Sequence, residues 1–381
     1  MELLGKSREE LQAYCTTLGE PVYRGGQLYH ALYAERKFDV ASFTNLPAAL
    51  REKLRQEATV TLPVVRQRYE SSDGSVRYLF GLSVGNEASA GIPKPARMKP
   101  AAVEAVFMPS EGRQTICIST QAGCAVDCQF CLTAKLGLIR NLTAGEMLAQ
   151  VLLPLMEMGG KGSAGKMQEP EGDGSSALAS RTNVVLMGQG EPLLNFENVM
   201  VALRILLDPK GVGLSPKRVT LSTSGVVPGI ERLAKKEVRP KLAISLNASC
   251  DEQRDALMPI NKKYPLKVLM EACRRYPLRN WEHLTFEYVM LGGVNDTVED
   301  ARRMVKLLAS LERVKVNLIP WNPGELPYKE SSAETINKFQ KALTDKGVPA
   351  FVRYSRGRDV MAACGQLALM EVKSSPLSVI A

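Results

Sequence analysis

From Thr115 to Tyr354 the chain alternates short β-branched runs with amphipathic stretches, and this alternation limits the possible folds more than any other feature. Candidate strands are Thr115–Thr120, Val184–Met187, Val219–Ser222, Leu242–Leu246, Leu284–Met290, Lys315–Ile319 and Ala350–Tyr354. Candidate helices at Ala144–Met158, Phe196–Leu207, Leu266–Arg275, Val298–Leu311 and Ala333–Asp345 fill the gaps. The pattern predicts a parallel sheet with helices outside it, because parallel neighbours need a long crossover and a helix supplies one. About six such units are too few for an eight-fold barrel, which leaves a partial barrel or an open sheet.

The N-terminal part reads differently. Residues 1–58 are helical in pattern: Ser7 with Glu10 forms a capping box, and further helices are expected near Gln27–Tyr33 and Ala48–Gln56. Between Thr59 and Leu82, β-rich runs flank Ser71-Ser72-Asp73-Gly74, a hairpin signal. Residues 85–100 read as a loop, Val103–Phe107 as a strand, and Gly159–Thr182, rich in Gly, Ser, Ala and Glu, as a flexible surface insertion. The expected division is a helical accessory domain at 1–58, a β-hairpin extension at 59–110, the barrel at 111–354 with its insertion at 159–182, and a C-terminal loop and tail at 355–381.

Eight cysteines stand against two histidines, His30 and His283. That scarcity argues against histidine triads and His-rich zinc sites, and passes acid–base work to Glu, Asp, Cys or Lys. Three cysteines are bunched as C-x3-C-x2-C: Cys124, Cys128 and Cys131. A tetrahedral zinc would want a fourth ligand nearby, and the sequence offers none. A 4Fe–4S cluster on three cysteines leaves one iron open to a small molecule. Cys15, Cys250 and Cys273 read as structural thiols.

The chain has 381 residues, 45% apolar and 23% charged, with Glu2, Lys6, Glu9 and Glu10 where a signal peptide would be apolar. No apolar run approaches the roughly 18 residues of a membrane span. A cytoplasmic protein is expected. Residues 183–381 hold 29 cationic and 21 acidic side chains, whereas residues 1–58 are neutral. The cations cluster at Lys235-Lys236 with Arg239 and Lys241, at Lys262-Lys263 with Lys267, at Arg274-Arg275 with Arg279, and at Arg353, Arg356 and Arg358. Composition alone reads equally as phosphate contacts or as a solubilising surface.

Gly123-Cys124-Ala125-Val126-Asp127-Cys128-Gln129-Phe130-Cys131 resembles the radical S-adenosylmethionine (SAM) superfamily's C-x3-C-x-aromatic-C signature, and it follows a strand, as it does there. Further segments, among them Gly188-Gln189-Gly190-Glu191-Pro192, Leu221-Ser222-Thr223-Ser224-Gly225, Pro320-Trp321-Asn322-Pro323 and Ala363-Cys364-Gly365-Gln366, resemble the RlmN/Cfr family of RNA adenine methyltransferases. The helical start is similar to that of the RlmN branch. The resemblance implies a partial (β/α)6 barrel with a small RNA-contacting helical domain in front.

The same resemblance implies methylation of carbon-2 of an adenosine in 23S rRNA and of the tRNA adenosine 3′ of the anticodon. Methylation of carbon-8, or a radical SAM reaction on a non-RNA substrate, are the alternatives. It implies a 4Fe–4S cluster on Cys124, Cys128 and Cys131, and two SAM molecules. One methylates Cys364 and the other yields a 5′-deoxyadenosyl radical. Cys117 matches the cysteine that resolves the RNA adduct through a disulfide with Cys364, and Glu104 the proton acceptor. Gly190, Glu191, Ser222, Ser245, Leu246, Asn247 and Asn322 match cofactor-contacting positions. Asn247 stands where the family commonly has histidine, and Gln189 where it commonly has methionine. An electron donor such as flavodoxin and a monomeric state complete the expectation.

Overall fold

The computed structural model describes residues 1–82, 101–160 and 181–369. The expected loop at 85–100 and all but the ends of the 159–182 insertion therefore lie outside the described residues. Its last two residues, Arg181 and Thr182, lead into a strand rather than a loop.

The N-terminal helices form where the sequence places their caps and apolar stripes. Helix α1 (Arg8–Thr17) starts at Ser7, whose side chain and that of Glu10 satisfy each other's backbone N–H groups. Helices α2 (Tyr23–Tyr33) and α3 (Ala48–Glu57) pack beside it, burying Leu11, Cys15, Leu28, Leu32, Phe43, Leu50 and Leu54. Gly25 fits against the α1 backbone at Gln12, where any Cβ would collide. The unit is tied to the barrel where Gly5 meets Gly145 backbone to backbone.

The main sheet begins with a meander: β1 (Val64–Glu70), β2 (Val76–Gly81), β3 (Ala102–Ser110) and β4 (Arg113–Cys117) pair antiparallel in order. Strand β4 is where the direction changes. It pairs antiparallel with β3 through Val106↔Cys117 and parallel with the strand at Thr182–Leu186 through Cys117↔Val185. The short strands β5 (Gln121–Gly123) and β6 (Leu138–Asn141) form a separate ribbon. Then β7 (Thr182–Leu186), β8 (Val219–Thr223), β9 (Lys241–Ser245), β10 (Leu284–Met290), β11 (Val314–Pro320) and β12 (Ala350–Val352) follow, each parallel to the one before. The ladder runs from β1 to β12 in one line, so the barrel is open, and the expected strands all lie in it.

Helices Ala144–Gly160, Phe196–Leu207, Leu266–Arg275, Val298–Leu308 and Ala333–Thr344 cover the outside at the expected places. Two short helices, Val227–Ala234 and Asp251–Leu257, escaped the sequence pattern. The first carries Pro228 and Gly229 in its opening turn, which proline tolerates because the N–H there has no helical partner. Among the described residues no helix is long and apolar enough to cross a membrane.

One fully buried cation holds the strand ends together. Arg254 donates from Nε to the Leu246 carbonyl (3.1 Å), from Nη2 to the carbonyls of Ser224 (2.6 Å) and Ser245 (3.2 Å), and from Nη1 to Asn261 Oδ1 (3.1 Å). It thereby joins the segments leaving β8 and β9, and burial lowers its pKa to about 10. Replacing Arg254 with Met leaves these acceptors unpaired. The expected loss is about 3–5 kcal/mol, read as a fall in urea midpoint at unchanged m.

Candidate active site

The C-terminal ends of the parallel strands carry the residues singled out above, as barrel sites do. Cys117 is the last residue of β4 and is buried in an apolar cluster with Tyr69, Val106, Val360, Ala362 and Leu367. The partners Val360, Ala362 and Leu367 belong to the segment after β12, which folds back over the barrel mouth. Gly357 and Met361 take left-handed backbone conformations there, and a Cβ on Gly357 would press on that of Ala362.

Residues 364–369 are fixed from several sides. Asn322 Nδ2 donates to the Cys364 carbonyl (3.1 Å) and Gln366 Nε2 to the Pro323 carbonyl (2.8 Å). From the cysteine loop, Leu132 N donates to the Gly365 carbonyl (2.8 Å) and Thr133 Oγ1 to that of Leu367 (2.6 Å). Cys364 is exposed, yet protein surrounds it densely enough to push its thiol up to about 11, with Glu287 and Cys131 adding to the rise. Cys117 faces Cys364 closely enough for the two thiols to interact electrostatically, and burial chiefly raises its pKa. All eight cysteines are free, so the disulfide implied by the family resemblance is absent from this state.

The cysteine loop is set by glycine. A Cβ on Gly123 would overlap the Gly137 carbonyl oxygen, and Gly123 has φ +73°. The Gly137 carbonyl instead accepts from Cys124 N at 2.9 Å. Among the described residues no group of three His, Cys, Asp or Glu side chains is already gathered as a metal site. The donor chemistry nonetheless fits a cluster. Burial raises the pKa of Cys124 to about 12 and that of Cys128 well above the usual thiol range, and neighbouring loop cysteines raise both further. A bound cation relieves that repulsion and favours the thiolates.

Glu104, in the middle of β3, is fully buried. Its carboxylate forms an ion pair with the equally buried Arg77, which itself stacks on Tyr69 (4.1 Å). It also accepts from Leu369 N (3.0 Å) and Gln189 Nε2 (3.4 Å). Burial raises its pKa, and Arg77 opposes the rise. Glu104 thus touches the Cys364 segment directly.

The expected cofactor positions lie at or just beyond the C-terminal ends of β7, β8, β9 and β11, and several already have partners. Glu191 accepts from Leu193 N (3.0 Å) and from Ser224 N and Oγ (2.7 Å each), and burial raises its pKa. Gly190, at φ +96°, lies against Gln121 with no room for a Cβ. Ser222 and Ser245 exchange a hydrogen bond (3.3 Å) across β8 and β9, next to buried Leu246. Asn247 is also left-handed, which asparagine tolerates, and its Oδ1 accepts from Val289 N (2.8 Å). Asn322 also donates to Ser355 Oγ (2.9 Å). Sequence reasoning assigned no role to Glu287, on the same face of the sheet as Ser245. Glu287 accepts from Asn317 Nδ2 (2.9 Å), and its pKa is raised by burial. Its place in the segment Glu287-Tyr288-Val289-Met290 was the available signal.

Alkylation of the cofactor-free chain tests this reading of Cys364. Its reaction with iodoacetamide, followed by peptide mass spectrometry, should rise about tenfold per pH unit until close to pH 11. Buried Cys117 should stay unlabelled, and a plateau for Cys364 near pH 9 would contradict this account of its surroundings.

Comparison with known proteins agrees with this geometry. Residues 118–308 match the radical SAM superfamily, and residues 1–60 match the ribosomal RNA large subunit methyltransferase N-terminal domain. The chain is 46% identical over 372 residues to the "Probable dual-specificity RNA methyltransferase RlmN" of Koribacter versatilis, covering 93% of this chain and 98% of that protein. It is 43% identical over 365 residues to the dual-specificity RNA methyltransferase RlmN of Anaeromyxobacter, covering 94% and 88%. A crystal structure of a radical SAM methyltransferase from Sphaerobacter thermophilus superposes with a TM-score of 0.84 at 38% identity, covering 96% of this chain and 99% of that one. A helical N-terminal unit, an open parallel barrel and a cysteine loop at its mouth, together with these likenesses, place the chain in the RlmN family of radical SAM RNA methyltransferases.

Proposed function

We propose that the chain methylates carbon-2 of an adenosine in 23S rRNA and of the tRNA adenosine 3′ of the anticodon, with Cys364 as methyl carrier. The observation that carries this reading is that one segment, residues 360–369, brings Cys364 within electrostatic reach of Cys117 and sets Leu369 against Glu104, though 247 positions separate Cys117 from Cys364 in the chain. Carbon-2 of adenine offers no easy polar route to a methyl group, and a carrier, a base and a second thiol answer that difficulty together.

Cys124, Cys128 and Cys131 would hold a 4Fe–4S cluster, and the ring from Gly190 to Asn322 would hold SAM. When bound, the pair supplies one-electron cleavage of SAM and hence hydrogen-atom abstraction. The protein's own groups do the rest. Cys364 takes a methyl group as a thioether and presents it to the base. Glu104 accepts the proton leaving carbon-2. Cys117, shielded from water until then, attacks the Cys364 thioether sulfur. A Cys117–Cys364 S–S bond forms and the S–CH2 bond to the base breaks. The departing carbon keeps that electron pair and takes up a proton to become the methyl group of the released RNA, leaving a disulfide to be reduced before the next turnover. A flavodoxin-type donor and a cytoplasmic monomer go with the reading.

The test is anaerobic turnover with SAM, a reductant and an unmodified 23S rRNA fragment. The nucleoside product is compared by mass spectrometry with carbon-2 and carbon-8 standards. Carbon-2 methyladenosine should form with the wild type and be absent with Cys364→Ala. Carbon-8 product, or SAM cleavage without methylated adenosine, would overturn the proposal. Glu104→Gln should slow turnover about 10²- to 10⁴-fold.

The pH profile gives a second check. Burial raises the pKa of Glu104, so the acid limb of the rate profile should lie above the ordinary carboxylate range. Arg77 favours the ionised carboxylate. Arg77→Met should therefore move that limb to still higher pH, measured as methylation rate against pH; a limb that stays in place would show that the pair does not govern the base.

A further inference from the structure

The structure sorts the basic clusters that the sequence leaves undivided. Arg274 pairs with Glu271 and Arg275 with Glu231 (2.8 Å), while Arg356 pairs with Asp73 (3.5 Å) and Arg358 with Glu330 (3.0 Å). Those cations are neutralised in place. A different set gathers at the N-terminal ends of β8 to β11, the end of the barrel away from the cysteine loop. Lys217 and Arg218 precede β8, Arg239 precedes β9 and Lys241 begins it, Arg279 precedes β10, and Arg313 and Lys315 flank the start of β11.

Three features set this face apart from a solvated surface. First, three of its four arginines are held by backbone carbonyls, and the fourth, Arg218, donates to Asn183 Oδ1 (3.3 Å). Arg239 donates to the carbonyls of Lys236 (3.1 Å) and Pro277, Arg279 to that of Arg239 (2.7 Å), and Arg313 to that of Arg279 (2.8 Å). Second, among the described residues the ion pair these cations make is Arg279 with buried Glu282, at 3.8 Å. Exposed Glu237 and Glu312 are the acids in the adjoining turns. Third, the register Ala243↔Thr285↔Lys315 puts Lys241 and Lys315 on one face of the sheet, and Lys241 is held half-buried against the repulsion of Lys315 and Arg218, with buried Glu282 offsetting part of it. An aromatic ring completes the face: Trp281 lies between Lys217 (5.4 Å) and Arg279 (5.3 Å).

We propose that this N-terminal mouth of the barrel is a second contact surface for the RNA, gripping its phosphate backbone at a distance from the target base. The inference rests on the RNA substrate proposed above. Fixed cations that outnumber the one buried carboxylate among them, set beside a ring, suit a phosphate backbone with bases at hand. An acidic electron-donating protein suits it less. The seven residues of β10 alone span about 20 Å, and the cysteine loop lies at their far end. A large folded RNA reaches both ends of the barrel at once; a small redox protein docked at the base would stand away from the group it must reduce.

The experiment measures binding of the reconstituted full chain to the 23S rRNA fragment across a salt series. It compares the wild type, the triple variant Lys217→Gln/Lys241→Gln/Lys315→Gln, and the matched Lys→Arg triple. Losing three phosphate contacts should flatten the slope of log affinity against log salt by about two to three. Between about 50 and 200 mM salt the wild type should then lose roughly 20- to 40-fold more affinity than the Gln variant. The Arg variant should keep the wild-type slope. If the triple variant does not fold, Lys217→Gln on its exposed turn should still lower the slope by roughly one.

A Gln variant with the wild-type slope, beside a wild type that binds and methylates, would overturn this inference alone. A variant that keeps the slope but loses reduction by an acidic flavoprotein would assign the face to that protein instead. A wild type that neither binds nor methylates the fragment would overturn the RNA reading and this inference with it.

Discussion

The geometry of this protein depends on the docking of residues 364–369 across the barrel mouth. Hydrogen bonds reach the segment from Leu132 and Thr133 on the cysteine loop, from Asn322 after β11, and through Leu369 to Glu104 on β3. Without that docking Cys364 would belong to a tail, and Cys117 would be one more buried thiol. With it, the segment carrying Cys364 meets Glu104 on β3 through Leu369, and Cys364 comes within electrostatic reach of Cys117 on β4. Each bond is worth about 1 kcal/mol, so the segment is held by their number and can be released without unfolding the barrel.

Buried charge gives the site its character. Glu104 and Arg77 are both withdrawn from water on neighbouring strands, diagonal to each other in the register Arg77↔Val106 and Leu79↔Glu104, with Arg77 stacked on Tyr69. Such a pair is costly to bury and does little for stability. It is understandable as chemistry: a carboxylate with a raised pKa, fixed in place, is suited to take a proton. Glu191 shows the opposite use. Its carboxylate is occupied by Ser224 and Leu193, so it shapes the loops around the proposed SAM site as much as it offers charge there. Asn247 is similar, since its carbonyl oxygen caps Val289 N and its left-handed backbone turns the chain away from β9.

Much of this was legible in the sequence because it is local. The Ser7–Glu10 capping box and the strand–helix alternation are short-range patterns, and each is found where expected. What escaped is non-local or brief. The helix at Val227–Ala234 is short and opens on Pro228-Gly229, which reads as a turn. The Glu104–Arg77 pair joins positions on different strands, so no window along the chain contains it. Pairing also divides the basic clusters: Arg274 and Arg275 meet carboxylates, whereas Lys241 meets Lys315 from two strands away. The Cys117–Cys364 disulfide was an expectation about turnover, and the free thiols here show a state without it.

The central claim is that Cys364 holds the target base while Cys117 lets it go. The most direct measurement is the fate of the RNA in the Cys117→Ala variant, run anaerobically with SAM and a reductant and then denatured. The account predicts a covalent RNA–protein adduct that accumulates and maps by peptide mass spectrometry to Cys364. Undiminished release of methylated adenosine with no adduct would contradict it.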